Sequence, residues 1–425
     1  MYKFLFYNIF IVFAKTKHWW YRIKEMIFKR QKRIYLDYAA GTPLDRRVFS
    51  VMQPYFSTTQ GNPSAIYKEG VEAKKAVEVA RSEIARMLGA HSDEIIFTGS
   101  GTEANNLAVF GIARAARADG VEKPHFITSA IEHPSVLNAC RALEKAGEIE
   151  VTFLQVDQGG MVQLSELKQA LRPETVFVSV MYANNEIGTI QPVKEIAAII
   201  RRHRKNAKTE NSKFQVLFHI DACQAMNYLD VGPARFGADL LTFNASKIYG
   251  PKGIGVLYKR RDVGLVPLIY GGEQEHGLRS GTENIAAIVG IAKALNIARA
   301  HREKESMRQT KLRDYFLGRV KEKFPETIIN GSMDARLPNN VNVSFPDIES
   351  QLMIIELDAK GIAASAKSAC ASDEEDASYV VAALGGEKWR SENSVRFSLG
   401  RYTTKKDIDA TVEALLEIAQ KYSKL

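Results

Sequence analysis

The sequence predicts an α/β fold with a doubly wound, mostly parallel sheet, followed by a smaller α+β domain. From about residue 71, helical patterns alternate with short apolar runs, as where Val71–Leu88 is followed by Glu94–Phe97. Most of these runs lack polar alternation, which is typical of strands covered on both faces. A long helical stretch over Asn284–Phe324 then leads into a different pattern. The chain therefore divides into two domains.

The predicted elements follow one another in a regular order. The candidate strands of the large sheet are Glu94–Phe97, His125–Ser129, Val151–Val156, Val176–Met181, Gln215–Ile220, Leu240–Phe243 and Gly255–Tyr258. The second domain has its elements at Asn339–Phe345, Gln351–Leu357 and Asp407–Tyr422. We expect a basic extension over 1–33, a large domain over 48–295, and a small domain made of 34–47 and 296–425.

The positive charge of the chain belongs to its first 33 residues. The formal net charge is +9, and residues 1–33 hold nine Lys or Arg and one acid, Glu25. The remaining 49 basic and 48 acidic residues nearly cancel. The body of the protein therefore lacks the electrostatic footprint of a nucleic-acid partner.

The sequence leaves the role of the extension open. Its apolar run Phe4–Ala14 is too short to span a bilayer, and no small-residue cleavage site follows it. It is an interfacial membrane anchor helped by Trp19 and Trp20, an organelle transit peptide, or a stretch translated from an upstream start. Membrane association through residues 1–33 is thus one of three interpretations.

The cysteines predict neither a disulfide-linked domain nor a metal-binding domain. Cys140, Cys223 and Cys370 form neither a C-x-x-C pair nor an even-numbered framework, so no disulfide scaffold and no metal site are predicted. This cysteine pattern favours a reducing compartment, namely the cytoplasm, or the mitochondrion in a eukaryote.

Three groups of polar residues lie where predicted strands end, at the edge where open parallel sheets bind ligands. Thr98–Glu103 places glycines and hydroxyls at a helix start, which suits a phosphate or is simply a turn. Asp221 caps a helix or keeps a pyridine nitrogen protonated. Lys247 precedes a Gly-Pro turn, and a partly desolvated lysine there can form a Schiff base. Together they favour an imine-forming cofactor.

A series of motifs runs in order from Ile34 to the C-terminus. They are Tyr35-Leu-Asp-Tyr-Ala-Ala, Gly61-Asn-Pro-Ser, Thr98 to Asn106, Ile131-Glu-His-Pro, Asn184-Asn-Glu-Ile-Gly, His219-Ile-Asp-Ala-Cys-Gln, Lys247-Ile-Tyr-Gly-Pro-Lys-Gly, Arg279-Ser-Gly-Thr-Glu, Ser368-Ala-Cys and Val395-Arg-Phe-Ser-Leu-Gly-Arg. In these motifs the chain resembles the cysteine desulfurases of iron-sulfur cluster assembly, within the class V aminotransferase branch of fold-type-I pyridoxal-phosphate enzymes.

The resemblance implies a fold, a reaction and partners. The large domain would contain a seven-stranded sheet, and the enzyme would be a homodimer that binds pyridoxal 5'-phosphate. It would convert L-cysteine to L-alanine and pass the sulfur through a persulfide on Cys370 to a scaffold or carrier protein. The sulfur would serve iron-sulfur clusters or tRNA thiolation.

The same resemblance assigns roles around the cofactor ring. Lys247 would carry the cofactor as a Schiff base and then move protons as a general base. Asp221 would hold the ring nitrogen protonated, and Gln224 would contact the ring oxygen. His133 would stack on the ring and relay a proton, unless it is only a histidine at a helix start.

The phosphate and the substrate carboxylate have their own candidate residues. By resemblance, Gly101 and Thr102 would bind the phosphate, with Ser246 nearby and Thr282 from the other subunit. Arg396, helped by Asn185, is the candidate clamp for the substrate carboxylate.

Some positions depart from the family pattern. Ser246 stands where His is usual and Asn244 where Ser is usual, which puts the phosphate contacts there in doubt. Lys367 replaces a usual Gly and could lower the pKa of the thiol of Cys370. The length of the segment around Asp373–Asp376 resembles that of relatives whose cysteine travels to an acceptor.

Other functions share much of this sequence pattern. A selenocysteine lyase or another class V aminotransferase-type enzyme would keep the cofactor residues. An inactive binding partner of sulfur-transfer proteins would have lost Lys247 or Asp221, and both are present.

Overall fold

The computed structural model describes residues 33–207, 215–366 and 377–422. We number its strands in chain order as β1 (Ile34–Tyr35), β2 (Ile95–Thr98), β3 (His125–Ser129), β4 (Glu150–Leu154), β5 (Thr175–Ser179), β6 (Leu217–Asp221), β7 (Leu240–Asn244), β8 (Gly255–Lys259), β9 (Ile328–Ile329), β10 (Asn340–Ser344), β11 (Ile362–Ala363) and β12 (Ser394–Ser398).

The helices of the described residues are numbered in the same way. They are α1 (Arg46–Met52), α2 (Pro54–Ser57), α3 (Lys68–Leu88), α4 (Gly101–Ala118), α5 (Pro134–Lys145), α6 (Leu164–Ala170), α7 (Val193–Ala207), α8 (Pro233–Phe236), α9 (Ile285–Lys323), α10 (Ser350–Ala359), α11 (Tyr379–Ala383), α12 (Lys388–Glu392) and α13 (Lys405–Tyr422). Short 3₁₀ turns occupy Ser92–Glu94, Ala245–Lys247 and Gln274–Gly277.

Seven strands form one sheet in the order β2-β8-β7-β6-β5-β3-β4. Strand β8 runs antiparallel to both of its neighbours, and the other neighbouring strands are parallel. The predicted mostly parallel, seven-stranded sheet is therefore confirmed. Each predicted strand overlaps an observed one, with ends that differ by up to two residues.

The central strands are buried because helices cover both faces of the sheet. Side chains alternate between two apolar clusters, so that Ile127 and Val178 face one cluster while Phe126 and Phe177 face the other. This two-sided burial explains why the strands appear in the sequence as continuous apolar runs.

The sheet brings the ends of β2, β6 and β7 to one edge. These strands end at Thr98, Asp221 and Asn244, and β2 is parallel to β7 because each is antiparallel to β8. The loops that carry the phosphate, acid and lysine candidates therefore converge, as expected for the carboxyl edge of such a sheet.

The C-terminal region builds a second core around the antiparallel sheet β12-β10-β9. Its apolar cluster includes Phe316 from the second half of α9, Val343, Phe397 and Leu415. Leu36 joins this cluster, and β1 pairs in parallel with β11. The first described residues thus pack with the last ones.

We propose the domain division expected from the sequence, with one refinement. Val380 and Val381 on α11, and Leu384 just after it, belong to the apolar cluster of the large sheet rather than to the second core. The range 296–425 expected for the small domain therefore includes one helix, α11, that packs in the core of the large domain.

None of the helices within 33–207, 215–366 and 377–422 is long and apolar enough to cross a membrane. Residues 1–32 of the extension lie outside the described residues, so its three interpretations stay predictions.

Candidate active site

A cavity of about 140 Å³ opens at the carboxyl edge of the large sheet. Its wall consists of Ala39, Ala40, Ser100, Gly101, Thr102, Asn105, His133, Ser135, Met181, Ala183, Asn185, Asp221, Cys223, Gln224, Asn244, Lys247 and Arg396. Eight of the candidate site residues from the sequence are among them, from six separate motifs. The fold thus gathers these side chains around one space.

The N-terminus of α4 forms one side of the cavity. Ser100 caps this helix, with its Oγ accepting the Glu103 N–H at 3.0 Å. Gly101 leaves the wall open, because a Cβ there would lie 2.9 Å from Asn244 Nδ2 and 3.1 Å from Cys223 Sγ. Unpaired backbone N–H groups of a first helical turn attract anions. This side of the cavity suits a phosphate.

A buried carboxylate forms the floor of the cavity. Asp221 is 6% exposed and accepts hydrogen bonds from Asn105 Nδ2 at 2.8 Å and from the Cys223 N–H at 2.9 Å. The same Asn105 amide also donates to Ser135 Oγ at 2.8 Å. These two donors fix the position of the carboxylate at the floor of the cavity.

The first turn of α5, the helix that begins after His133, fixes the orientation of the His133 ring. Its Nδ1 accepts the Ser135 N–H at 3.1 Å, which makes His133 the cap of α5 and assigns the ring proton to Nε2. Burial lowers the pKa of His133, while the nearby Asp221 opposes that shift. A neutral ring with a proton on Nε2 suits stacking and proton relay. His133 is therefore a helix-start histidine that also lines the cavity, and its role at a cofactor ring stays a prediction.

Lys247 ends a single 3₁₀ turn, Ala245–Lys247, that follows strand β7. Its Nζ donates to the carbonyl of Ala40 at 2.6 Å, so the amine lies against the wall of the cavity. The backbone carbonyl of Lys247 accepts from Asn227 Nδ2 at 2.6 Å. Hydrogen bonds therefore hold Lys247 at its backbone carbonyl and at its Nζ.

Arg396 reaches the cavity from β12 of the small domain and is 2% exposed. Its guanidinium donates to Asp37 Oδ1 at 2.7 Å and to the carbonyl of Asn185 at 3.0 Å. Within the described part of the chain, Arg396 Nε and Asn185 Oδ1 have no hydrogen-bond partner. Buried polar atoms are normally paired, so this donor and this acceptor indicate a ligand.

Two candidates lie outside this wall. Ser246 directs its hydroxyl to Asn244 Oδ1 at 3.3 Å, and Asn244 contributes to the wall instead. Thr282 is exposed on the surface of the same chain. Cys370 and Lys367 lie outside the described residues, so their roles stay predictions.

Several residues of the site were not singled out from the sequence. Asn105 connects Asp221 to Ser135, and the Ala39 carbonyl accepts from Gln224 Nε2 at 3.0 Å. Asn105 falls inside the Thr98 to Asn106 motif, where its amide could have been noticed as a donor. The carbonyl of Ala39 could not have been recognised from the sequence, because a backbone group leaves no signal in the residue type.

The family model "Aminotransferase class-V" matches residues 34–411. Together with the fold and the cavity, this match shows that the chain belongs to the class-V aminotransferase family. A curated relative, "Cysteine desulfurase IscS" from Dictyoglomus turgidum, is 43% identical over 391 residues, covering 92% of this chain and 95% of the relative.

Solved structures give the same result. A "NifS-like protein" has a TM-score of 0.83 and 33% identity, over 92% of this chain and all of that one. A second structure, "SspA in complex with cysteine", has a TM-score of 0.74 and 34% identity, over 87% of this chain and all of that one. Within its family, the chain is thus similar to cysteine desulfurases and NifS-like proteins.

Proposed function

We propose that this enzyme is a pyridoxal-phosphate-dependent cysteine desulfurase. It converts L-cysteine to L-alanine and transfers the sulfur to Cys370 as a persulfide, for iron-sulfur clusters or tRNA thiolation. The observation that carries the proposal is one cavity in which Lys247 and the buried Asp221 lie with Arg396 and Asn185, whose polar atoms are unpartnered. Relatives named as cysteine desulfurases support it.

The residues of the cavity fit pyridoxal phosphate. The opening left by Gly101 at the start of α4, with Thr102 beside it, would hold the phosphate. Asp221 would hold a proton on the ring nitrogen, Gln224 would face the ring oxygen, and His133 would cover one ring face. When bound, the cofactor supplies an aldehyde that condenses with amines and a pyridinium that withdraws electrons.

Lys247 would do the proton transfers on the substrate. Its amine would hold the cofactor at rest and, once displaced by the substrate amine, would take the proton from the substrate Cα. The Ala40 carbonyl, 2.6 Å from Nζ, would keep the amine at the wall during this exchange. A positioned base of this kind contributes about 10²- to 10⁴-fold to the rate.

Cys370 would accept the sulfur without an external oxidant. Its thiolate attacks the substrate sulfur, an S–S bond forms, and the bond between Cβ and sulfur breaks. The electron pair of the broken bond would stay on the carbon side, a proton would be added at Cβ, and Lys247 would return a proton to Cα to complete alanine. The persulfide then passes its outer sulfur to the thiol of an acceptor protein.

The experiment that tests this function follows alanine and the cofactor together. Purified enzyme loaded with pyridoxal phosphate is mixed with L-cysteine and a thiol, and absorbance, alanine and sulfide are measured. We expect alanine and reduced sulfur in equal amounts. Pyruvate formation, or an amino-group transfer to a keto acid without sulfur release, would refute the desulfurase and favour another class V reaction.

Arg396→Lys should weaken binding of the substrate. Lysine keeps the positive charge beside Asp37 but lacks the planar fork for a carboxylate. A charge-assisted hydrogen bond is worth about 1.5–3 kcal/mol, so we expect KM for L-cysteine to rise about 10- to 100-fold. Steady-state kinetics with unchanged cofactor absorbance check this result.

Arg313→Lys is the matched control for the variant of Arg396. Arg313 is also buried in the small domain, but it donates to the carbonyls of Arg336 and Leu337 and is not in the cavity wall. An equal rise of KM in both variants would show that loss of a buried arginine, not loss of a substrate clamp, raises KM.

We also propose that the enzyme works as a homodimer in which Thr282 completes the partner's phosphate site. Thr282 lies on the surface near Tyr270, whose exposed fraction is 72%, because residues 269 and 279 pair as a β-bridge. A second copy would cover both side chains. Thr282→Val should increase the dissociation constant of the cofactor severalfold in equilibrium dialysis, and a fully active monomer in sedimentation would contradict the proposal.

A further inference from the structure

A buried tyrosine lies two residues after Lys247 in a backbone conformation that bulky side chains rarely adopt. Tyr249 has φ of 62° and is 2% exposed. Such a conformation costs free energy and persists only where its surroundings fix it. Besides Tyr249, the described residues with positive φ that are not glycine are Glu275 and His276, and neither belongs to the cavity wall.

Hydrogen bonds from an N-terminal segment fix this turn on both sides of Lys247. The Tyr249 N–H donates to Thr42 Oγ1 at 2.7 Å, and its carbonyl accepts the Asp45 N–H at 3.0 Å. Thr42 in turn donates from its N–H and its hydroxyl to the carbonyl of Ser246, each at 2.9 Å. We call residues 37–45 the strap.

The side chain of Tyr249 faces the small domain. The Arg401 N–H donates to its hydroxyl oxygen at 2.8 Å, and the Arg401 guanidinium carbon lies 3.9 Å from the ring centroid. Arg401 Nη1 also pairs with Asp45 Oδ2 at 3.0 Å, with side-chain exposures of 13% and 7%. A cation this close to a ring and shielded from water binds it more strongly than at an open surface.

The other end of the strap is attached to the strand of Arg396. Arg396 pairs with Asp37, the Tyr38 N–H donates to the Ser398 carbonyl at 3.3 Å, and the Ala39 N–H donates to Ser398 Oγ at 2.9 Å. The strap therefore contacts the substrate clamp at one end and the lysine turn at the other. Arg401, three residues after Ser398, joins the two ends because it contacts both Tyr249 and Asp45.

We propose that Tyr249 and Arg401 are positioning residues that set the distance between the Lys247 amine and the Arg396 guanidinium. Because the substrate would bind Arg396 through its carboxylate and give up its Cα proton to Lys247, this distance decides whether Cα reaches the amine. The inference rests on the proposed function for its substrate, but the placement of Lys247 is independent of which amino acid reacts.

The test uses the holoenzyme with Arg401→Gln and Tyr249→Phe. Arg401→Gln removes the cation from the ring and from Asp45, and Tyr249→Phe removes only the hydroxyl acceptor. A misplacement of reacting groups by about 1 Å costs about 100-fold in rate. We expect kcat with L-cysteine to fall about 10- to 100-fold in Arg401→Gln and about threefold in Tyr249→Phe, with KM changed less than twofold.

A second measurement needs no substrate. The absorbance of the Schiff base between the cofactor and Lys247 is followed between about pH 6 and pH 10. The proton affinity of this Schiff base depends on the angle at which the lysine holds the cofactor. Arg401→Gln should move the midpoint of this titration by at least half a pH unit. An unchanged midpoint together with unchanged kcat would overturn the proposal.

A matched control lies in the small domain. Arg319 donates to Tyr315 Oη at 2.9 Å and to Asp409 Oδ1 at 2.8 Å, so it repeats the Arg, Tyr and Asp arrangement away from the strap. Arg319→Gln should lower the melting temperature without moving the midpoint or kcat. If both arginine variants change all three quantities alike, the role is structural and the proposal fails.

The two proposals fail in different ways. If the wild-type enzyme forms no alanine from L-cysteine, the function is wrong, while a shifted midpoint in Arg401→Gln still supports positioning of Lys247. If alanine forms normally in Arg401→Gln and the midpoint stays, positioning is wrong and the desulfurase stands.

Discussion

Lys247→Ala should abolish the covalent link between enzyme and cofactor and lower alanine formation by at least about 10³-fold, because the variant lacks both the anchoring amine and the base. The rest of the cavity wall is unchanged, so the cofactor should still bind noncovalently through Asp221 and the start of α4. Borohydride reduction followed by mass spectrometry of peptides should locate the adduct on Lys247 in the wild type and nowhere in the variant.

Lys252→Ala is the matched control for this experiment. Lys252 follows the same Gly-Pro turn but is exposed to solvent and is not part of the cavity wall. Its variant should keep the reducible adduct and the wild-type rate. An adduct on any other lysine in Lys247→Ala would show that the cofactor is anchored elsewhere.

Cys370→Ser should separate the cofactor chemistry from the sulfur transfer. A serine hydroxyl is not ionised at neutral pH and is a poor nucleophile towards sulfur, so alanine formation should fall by about 10²- to 10⁴-fold. Cofactor absorbance and its change on addition of L-cysteine should persist, because those steps use Lys247, Asp221 and Arg396. Alkylation and mass spectrometry should detect no persulfide in the variant.

The other two cysteines provide controls whose outcome follows from their surroundings. Burial raises the pKa of Cys140 to about 12, and burial together with Asp221 raises the pKa of Cys223 well above its ordinary value. Both thiols therefore stay protonated at neutral pH and are poor acceptors of sulfur. Serine variants of Cys140 and Cys223 should keep most of the activity.

If Cys370→Ser forms alanine at the wild-type rate, the desulfurase is contradicted and another class V aminotransferase-type reaction is favoured.

Much of the fold could be predicted because its signals are local. Strands β3, β5 and β6 are covered on both faces and thus appear as apolar runs, and the lysine and acid candidates follow such runs directly. The predicted sheet and the convergence of Lys247 and Asp221 follow from this pattern.

The contacts that support the site could not be predicted, because they join distant parts of the chain. Asn105 and Asp221 are 116 residues apart, and Asp37 and Arg396 are 359 apart. Which atoms meet depends on strand order and register, which no single segment determines. For the same reason, the packing of α11 in the large core was not apparent from its sequence.

The pairing of β1 with β11 bears on how the chain folds during its synthesis. Ile34 pairs with Ile362, and the large core needs Val380 and Leu384, so neither domain can be completed until most of the chain has left the ribosome. Contacts this distant in sequence form slowly and leave apolar surface exposed meanwhile. The connection of the Lys247 turn through the strap to Ser398 and Arg401 would therefore form late, when synthesis is nearly complete.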